Sequence, residues 1–239
     1  MNKLSLFILF IPFLAKAAVI PAPVTHLFIP TGFDDNDSVE FVVSGYFPDT
    51  CYSKNRVDVQ VEKNTIKVDV TAIQHEKKNP YDLAMCSQMI IPFYEVITVG
   101  QLDKANYNVI VNGKTRHELT GSVSIIEASS NQIDDYLYAH LSYIEVNHQD
   151  PTQITLVGMR PSDCIEIDRV EFIKNGKDVL AILPIMKQTR QHCPMKMTPY
   201  KIPVKVDYSG LNHREVLLYA RSMEGKSVSS IVRNAPVSQ

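Results

Sequence analysis

Glycine is scarce in this sequence, nine residues in 239, and no Gly-rich stretch of the kind that cradles phosphates occurs. A cationic surplus is also missing: 24 basic side chains stand against 26 acidic ones, interspersed with no basic stripe. Nucleic acid needs a positive footprint, so it is not an expected partner. Beyond the first residues no apolar run approaches the ~20 residues of a membrane-spanning helix, so no membrane span is expected. Helical periodicity is nearly absent, and Asn131 to His140 is its best candidate. The seven histidines (His26, His75, His117, His140, His148, His192 and His213) form no H-E-x-x-H pair, and no G-x-S-x-G stretch exists. Neither catalysis nor a cofactor is expected.

What is present begins at the N-terminus, MNKLSLFILFIPFLAKAAVIPAP. Lys3 provides a positive start, Leu4 to Leu14 an apolar core, and Ala15-Lys16-Ala17 a small-x-small cleavage site. Residues 1–17 read as a secretory signal peptide. No cysteine near the cleavage site could carry a lipid anchor. Removing Lys3 and Lys16 leaves 22 basic against 26 acidic groups, a net charge near −4. The expected product is a soluble protein of the periplasm or the extracellular space, and Lys16 with the Asn/Lys/Ile-rich composition points to a bacterial source. Four cysteines in an exported chain read as two disulfides.

The stretches GYFPDTC (Gly45–Cys51) and GMRPSDC (Gly158–Cys164) place Gly, Pro and Cys at the same three positions. In each half a strand-like run leads into this loop, and a hairpin, a cysteine-bearing loop and two more strand-like runs follow. The chain therefore reads as two copies of one unit. Alternation marks the strands: Val57, Val59 and Val61 against Asp58, Gln60 and Glu62, then Ile66, Val68 and Val70 against Lys67 and Asp69. Lys174-Asn175-Gly176-Lys177 is a hairpin turn, since Asn-Gly tolerates positive φ. About seven short strands in about 100 residues is the rhythm of a β-sandwich. The expected organisation is all-β: signal 1–17, first sandwich 18–128, a linker or short helix 129–140, and second sandwich 141–239. The repeated spacing implies intradomain bridges Cys51–Cys86 and Cys164–Cys193, staples rather than reactive thiols.

Asp103, Ala105 and Tyr107 resemble the Asp-x-Ala-x-Tyr corner of immunoglobulin domains, which implies an immunoglobulin-like form for both sandwiches. Departures are clear: Val109 stands where the immunoglobulin cysteine would fall, there is no tryptophan, and the second copy lacks the corner tyrosine. Two such domains in an exported chain also resemble the layout of periplasmic pilus chaperones. That family's basic anchor has no counterpart in AVIPAPVTHLFIP, and its members do not carry a disulfide in both domains.

Several residue groups invite function. His192, Met195 and Met197, beside Cys193, are soft or borderline ligands of the copper-binding kind, which makes a copper carrier one alternative. Phe33-Asp34-Asp35-Asn36-Asp37 and Asp134-Asp135 invite calcium but lack the spaced ligands and glycine of a calcium loop, and read as solvated turns. Tyr46, Phe47, Tyr52 and Tyr81 cluster around the first copy's cysteine loops, and rim aromatics anchor protein or glycan partners. The reading is a secreted, non-catalytic binding protein of two immunoglobulin-like sandwiches that recognises a protein or glycan through its loops. A periplasmic assembly chaperone is the other alternative.

Overall fold

The computed structural model describes residues 18–75 and 86–236. The signal-peptide reading at 1–17 lies outside the described residues, and so does Tyr81. Among the described residues there is no helix, and fifteen strands build four sheets. None of these residues forms a helix long and apolar enough to cross a membrane.

The alternating stretches become strands. β4 (Tyr52–Glu62) and β5 (Thr65–Gln74) form an antiparallel hairpin; Ile66, Val68 and Val70 are buried while Lys67 and Asp69 face water. The far edge of β5 carries β1 (Ala18–Pro21) antiparallel and β7 (Asn106–Val111) parallel, with β8 (Leu119–Ser124) beyond β7. The facing sheet runs β2 (Val24–Phe28), β3 (Val39–Phe47), β6 (Ile91–Gly100).

The second half repeats the scheme. One sheet runs β11 (Ile165–Lys174), β12 (Val179–Gln188), β14 (Val216–Arg221), β15 (Ser227–Val232). The other runs β9 (His140–Val146), β10 (Gln153–Arg160), β13 (Thr198–Lys205). The parallel pair recurs as β12–β14. The protein is all-β, two tandem immunoglobulin-like β-sandwiches, with the parallel pair as a departure from the purely antiparallel immunoglobulin pattern. The pair arises because the chain crosses to the opposite sheet, for β6 or β13, between its two parallel strands. Residues 127–139 join the halves without strand or helix. Tertiary partners hold the end of that segment: Leu137 O accepts from Met186 N, and Ala139 O from Met223 N.

The duplicated glycines are fixed by close approach. A Cβ on Gly45 would lie 2.3 Å from Pro23 O, and one on Gly158 would lie 2.1 Å from His140 O. Both loops end in staples, Cys51–Cys86 and Cys164–Cys193, with sequence separations of 35 and 29 and no free cysteine remaining. Closed bridges belong to an oxidising, non-cytoplasmic compartment. The tyrosine corner also forms: Tyr107 donates its hydroxyl to Asp103 O at 3.0 Å.

The two sandwiches are packed face to face. All six residues of β14, VLLYAR, are buried. Leu218 and Ala220 enter the second sandwich's core, whereas Leu217 and Tyr219, with Val179 and Ala181 of β12, join the core of the first. β3 is the counterpart, with both faces covered: Phe41, Val43 and Phe47 point inward, and Val42 (0% exposed) lies on the other face. In the four-sheet stack the central inner strands β12 and β14 thus read as nearly continuous apolar runs, as strands buried on both faces do.

Candidate functional site

Polar pairs stitch the apolar junction together. Arg221, at the end of β14, donates from Nη2 to Asp37, with side-chain exposures of 10% and 7%. Burial pushes the Asp37 carboxyl above its ordinary range even though Arg221 pulls it down. His26 Nε2 lies 3.0 Å from Asp178 Oδ2, and the His26 ring packs 4.1 Å from that of His213. Burial works against the Asp178 charge, but hydrogen bonds from His26 and Asn175 hold its pKa below the ordinary value. Tyr46 donates to Glu215 at 2.7 Å. Glu40 accepts from Tyr219 and from Ser227.

Beside the Asp37–Arg221 pair lies a cavity of about 220 Å³. Its walls come from three places: the loop before β3 (Thr31–Phe33 and Asp37), the linker (Asp135, Tyr136, Tyr138), and the inner sheet of the second sandwich (Glu171, Tyr219, Arg221). Tyr138 and Tyr219 have their pKa pushed up to about 12, chiefly by burial, so both stay protonated and able to donate at neutral pH. Arg169 lies over the Tyr136 ring, 5.7 Å from its centroid, and its Nε donates to Glu171 at 2.6 Å. Aromatic walls, three carboxylates and a buried guanidinium converge on one small space. A larger depression, about 680 Å³, lies at the far end of the second sandwich; Glu145, Asn147, His148 and Lys205 help to line it, and no aromatic residue does.

The aromatic cluster expected at a loop rim is not assembled as one. Phe47, 3% exposed, stacks on Phe93 at 4.5 Å and belongs to the core. Tyr52 stacks on Phe47 at 6.1 Å and is half-buried. Tyr46 is held across the junction by Glu215, with Arg233 above its ring. The reason lies in alternation: Tyr46 and Phe47 are neighbours on β3 and face opposite sides, both of which are covered.

Cys193 is bridged, so no thiolate joins His192, Met195 and Met197, which are exposed on the loop before β13. The acidic turns are structural. Asp34 and Asp37 are buried, Asp35 accepts from Ala128 N, and Asp134 accepts from Glu224 N and Gly225 N. The solvated-turn reading is corrected there: these carboxylates cap backbone amides and tie the linker down. Sequence reading missed Arg221, Tyr136 and Tyr138. The signal available for Arg221 was its position at the end of the continuous apolar run VLLYA, where an unpaired charge needs a buried partner.

A family model described as the ORF11 beta-sandwich domain matches residues 41–124, from β3 to the end of β8. An uncharacterized 10.2 kDa protein in the HgiCIIM 5′ region of Herpetosiphon aurantiacus is 35% identical over 75 residues, 31% of this chain and 73% of that protein. A second, in the HgiBIM 5′ region of the same organism, is 39% identical over 71 residues, 29% of this chain and 79% of the relative. No solved structure matches.

Proposed function

The chain belongs to the family of these Herpetosiphon 10.2 kDa proteins, and from its own cavity we propose that it is an exported, non-catalytic binding protein that holds one sugar residue of a glycan between its sandwiches. The cavity at the junction carries this reading. Ligand sites favour clefts between domains, walled by aromatic side chains with a few convergent polar groups. Here the Tyr136 ring, 41% exposed, offers its surface to the C–H face of a sugar with Phe33 and Tyr138 forming the buried wall behind, and Asp135, Glu171 and Arg221 offer charge-assisted hydrogen bonds to its hydroxyls. The signal-like residues 1–17 and the two closed bridges support export.

Because the chain has no tryptophan, its intrinsic emission comes from eleven tyrosines, three of which, Tyr136, Tyr138 and Tyr219, line this cavity. Titration with a panel of mono- and oligosaccharides should change that emission saturably for at least one sugar class. Tyr136→Ala and Glu171→Gln should each weaken binding about tenfold or more, the equivalent of about 1.4 kcal/mol. Absence of any saturable change in the folded protein, or full binding by both variants, would end this reading.

A further inference from the structure

The two copies treat their sheet edges differently. β6 and β13 occupy matching positions, and among the described residues each pairs on one side only, β6 with β3 and β13 with β10. The register makes the correspondence residue by residue. Gly45 faces Phe93 as Gly158 faces Tyr200, so Tyr94, Val96 and Thr98 correspond to Lys201, Pro203 and Lys205.

The orientation of these residues is fixed. Tyr46 N bonds toward Pro23 on the β2 side, so its partner Pro92 turns its own nitrogen away from β3. By alternation, the amides of Tyr94, Val96 and Thr98 also point off the open edge of β6. On β13 the matching outward row reads Pro199, Lys201, Pro203, Lys205. Proline has no N–H and lysine is charged, and both guard natural edge strands against pairing. On β6 the guard is missing beyond Pro92. In its place stand Tyr94, 52% exposed, and Val96, 38% exposed, on the same sheet face that the second sandwich covers over β3.

We propose that the β6 edge pairs antiparallel with β6 of a second copy of this chain, joining two first sandwiches through one continuous sheet. The sequence is self-complementary for this. Centred on Val96, the pairing sets Val96 against its own copy and Tyr94 against Thr98, β-branched and aromatic pairs of the stabilising kind. Glu95 then faces Ile97, so no like charges stand opposite, and the paired stretch ends at Thr98, before the register shift that separates it from Gly100. The dimer is isologous, and its contact face continues the one already buried between the sandwiches.

The test transplants the second sandwich's own guard. Full-length processed protein is run by light scattering coupled to size exclusion and by sedimentation velocity, up to roughly 100 μM, a range that reaches weak but specific contacts. Wild type should be a dimer. Val96→Pro and Tyr94→Lys should each shift it to monomer with an unchanged far-ultraviolet spectrum, since neither touches a β3–β6 hydrogen bond. Should Val96→Pro fail to fold, Tyr94→Lys carries the test alone. A monomeric wild type, or a dimer that persists in a folded variant, overturns the proposal. Recovery of a different protein on β6 with the chain itself monomeric also overturns it. Sugar titration of the monomeric variants separates this proposal from the glycan reading, because the cavity contains no residue of β6.

Discussion

Arg221→Met tests the junction most directly. The substitution keeps much of the side-chain volume but leaves Asp37, 5% exposed, without its cation. Removing one partner of a buried ion pair costs about 3–5 kcal/mol, because a desolvated charge remains. Against a total of roughly 5–15 kcal/mol for an ordinary domain, that is a large fraction. The loss also depends on pH. Asp37 already has a raised carboxyl pKa in the folded state, so stability falls as pH rises from the ordinary value through the raised one. Without Arg221 the pKa rises further and the window widens upward. The variant's deficit should therefore be greatest near neutral pH and shrink in mild acid, where Asp37 takes up a proton. Urea unfolding followed by circular dichroism at both pH values measures this. The double variant Asp37→Leu/Arg221→Met should recover to within about 1 kcal/mol of wild type, as apolar replacement of buried pairs often does. A single-variant loss under about 1 kcal/mol, or an equal loss at both pH values, would refute the argument.

Other perturbations have distinct signatures. Gly158→Ala must push the β9–β10 ladder apart, since its Cβ would meet His140 O at 2.1 Å, and should cost about 1–3 kcal/mol or more in a thermal melt. Replacing Cys51 and Cys86 together by Ser should cost about 3–4 kcal/mol from the closed-loop entropy, and a reductant should then lower the variant's melting temperature less than that of wild type. Asp178→Asn should destabilise at neutral pH. Asp178 has a depressed pKa, so its contribution is present above the ordinary carboxylate range and fades as pH falls through the folded value; the variant's acid limb should be flatter in a stability–pH profile.

Much of the fold was legible because it is written locally. The alternation of Val57–Val61 and Ile66–Val70 became β4 and β5, and the Asn175-Gly176 turn formed with Gly176 at φ +74°. The duplicated Gly-x-x-Pro-x-x-Cys loops led to the correct bridges because repetition carried information that spacing alone lacks. The site was less legible, for a physical reason. Asp37 and Arg221 lie 184 positions apart, and only the face-to-face packing of β3 and β14 joins them. Tyr46 could be read as a rim aromatic because nothing local says that β3 is covered on both sides. A sign of that burial did exist: VLAILPIM and VLLYA run apolar without alternation, unlike TIKVDVTAI.

The four-sheet stack also explains why two copies with the same order of features share so few residues. Each copy contributes one outer and one inner sheet, but not the same one. In the first sandwich the β2–β3–β6 sheet turned inward, whereas in the second the inward sheet is β11–β12–β14–β15. Equivalent strands therefore meet different surroundings: β5 has water on one face and carries Lys67 and Asp69 there, while its counterpart β12 is covered on both faces from Val179 to Met186 and is filled with Leu, Ile and Ala. The difference between the halves follows where each strand lies, and a substitution harmless in one copy can be ruinous at the matching position of the other.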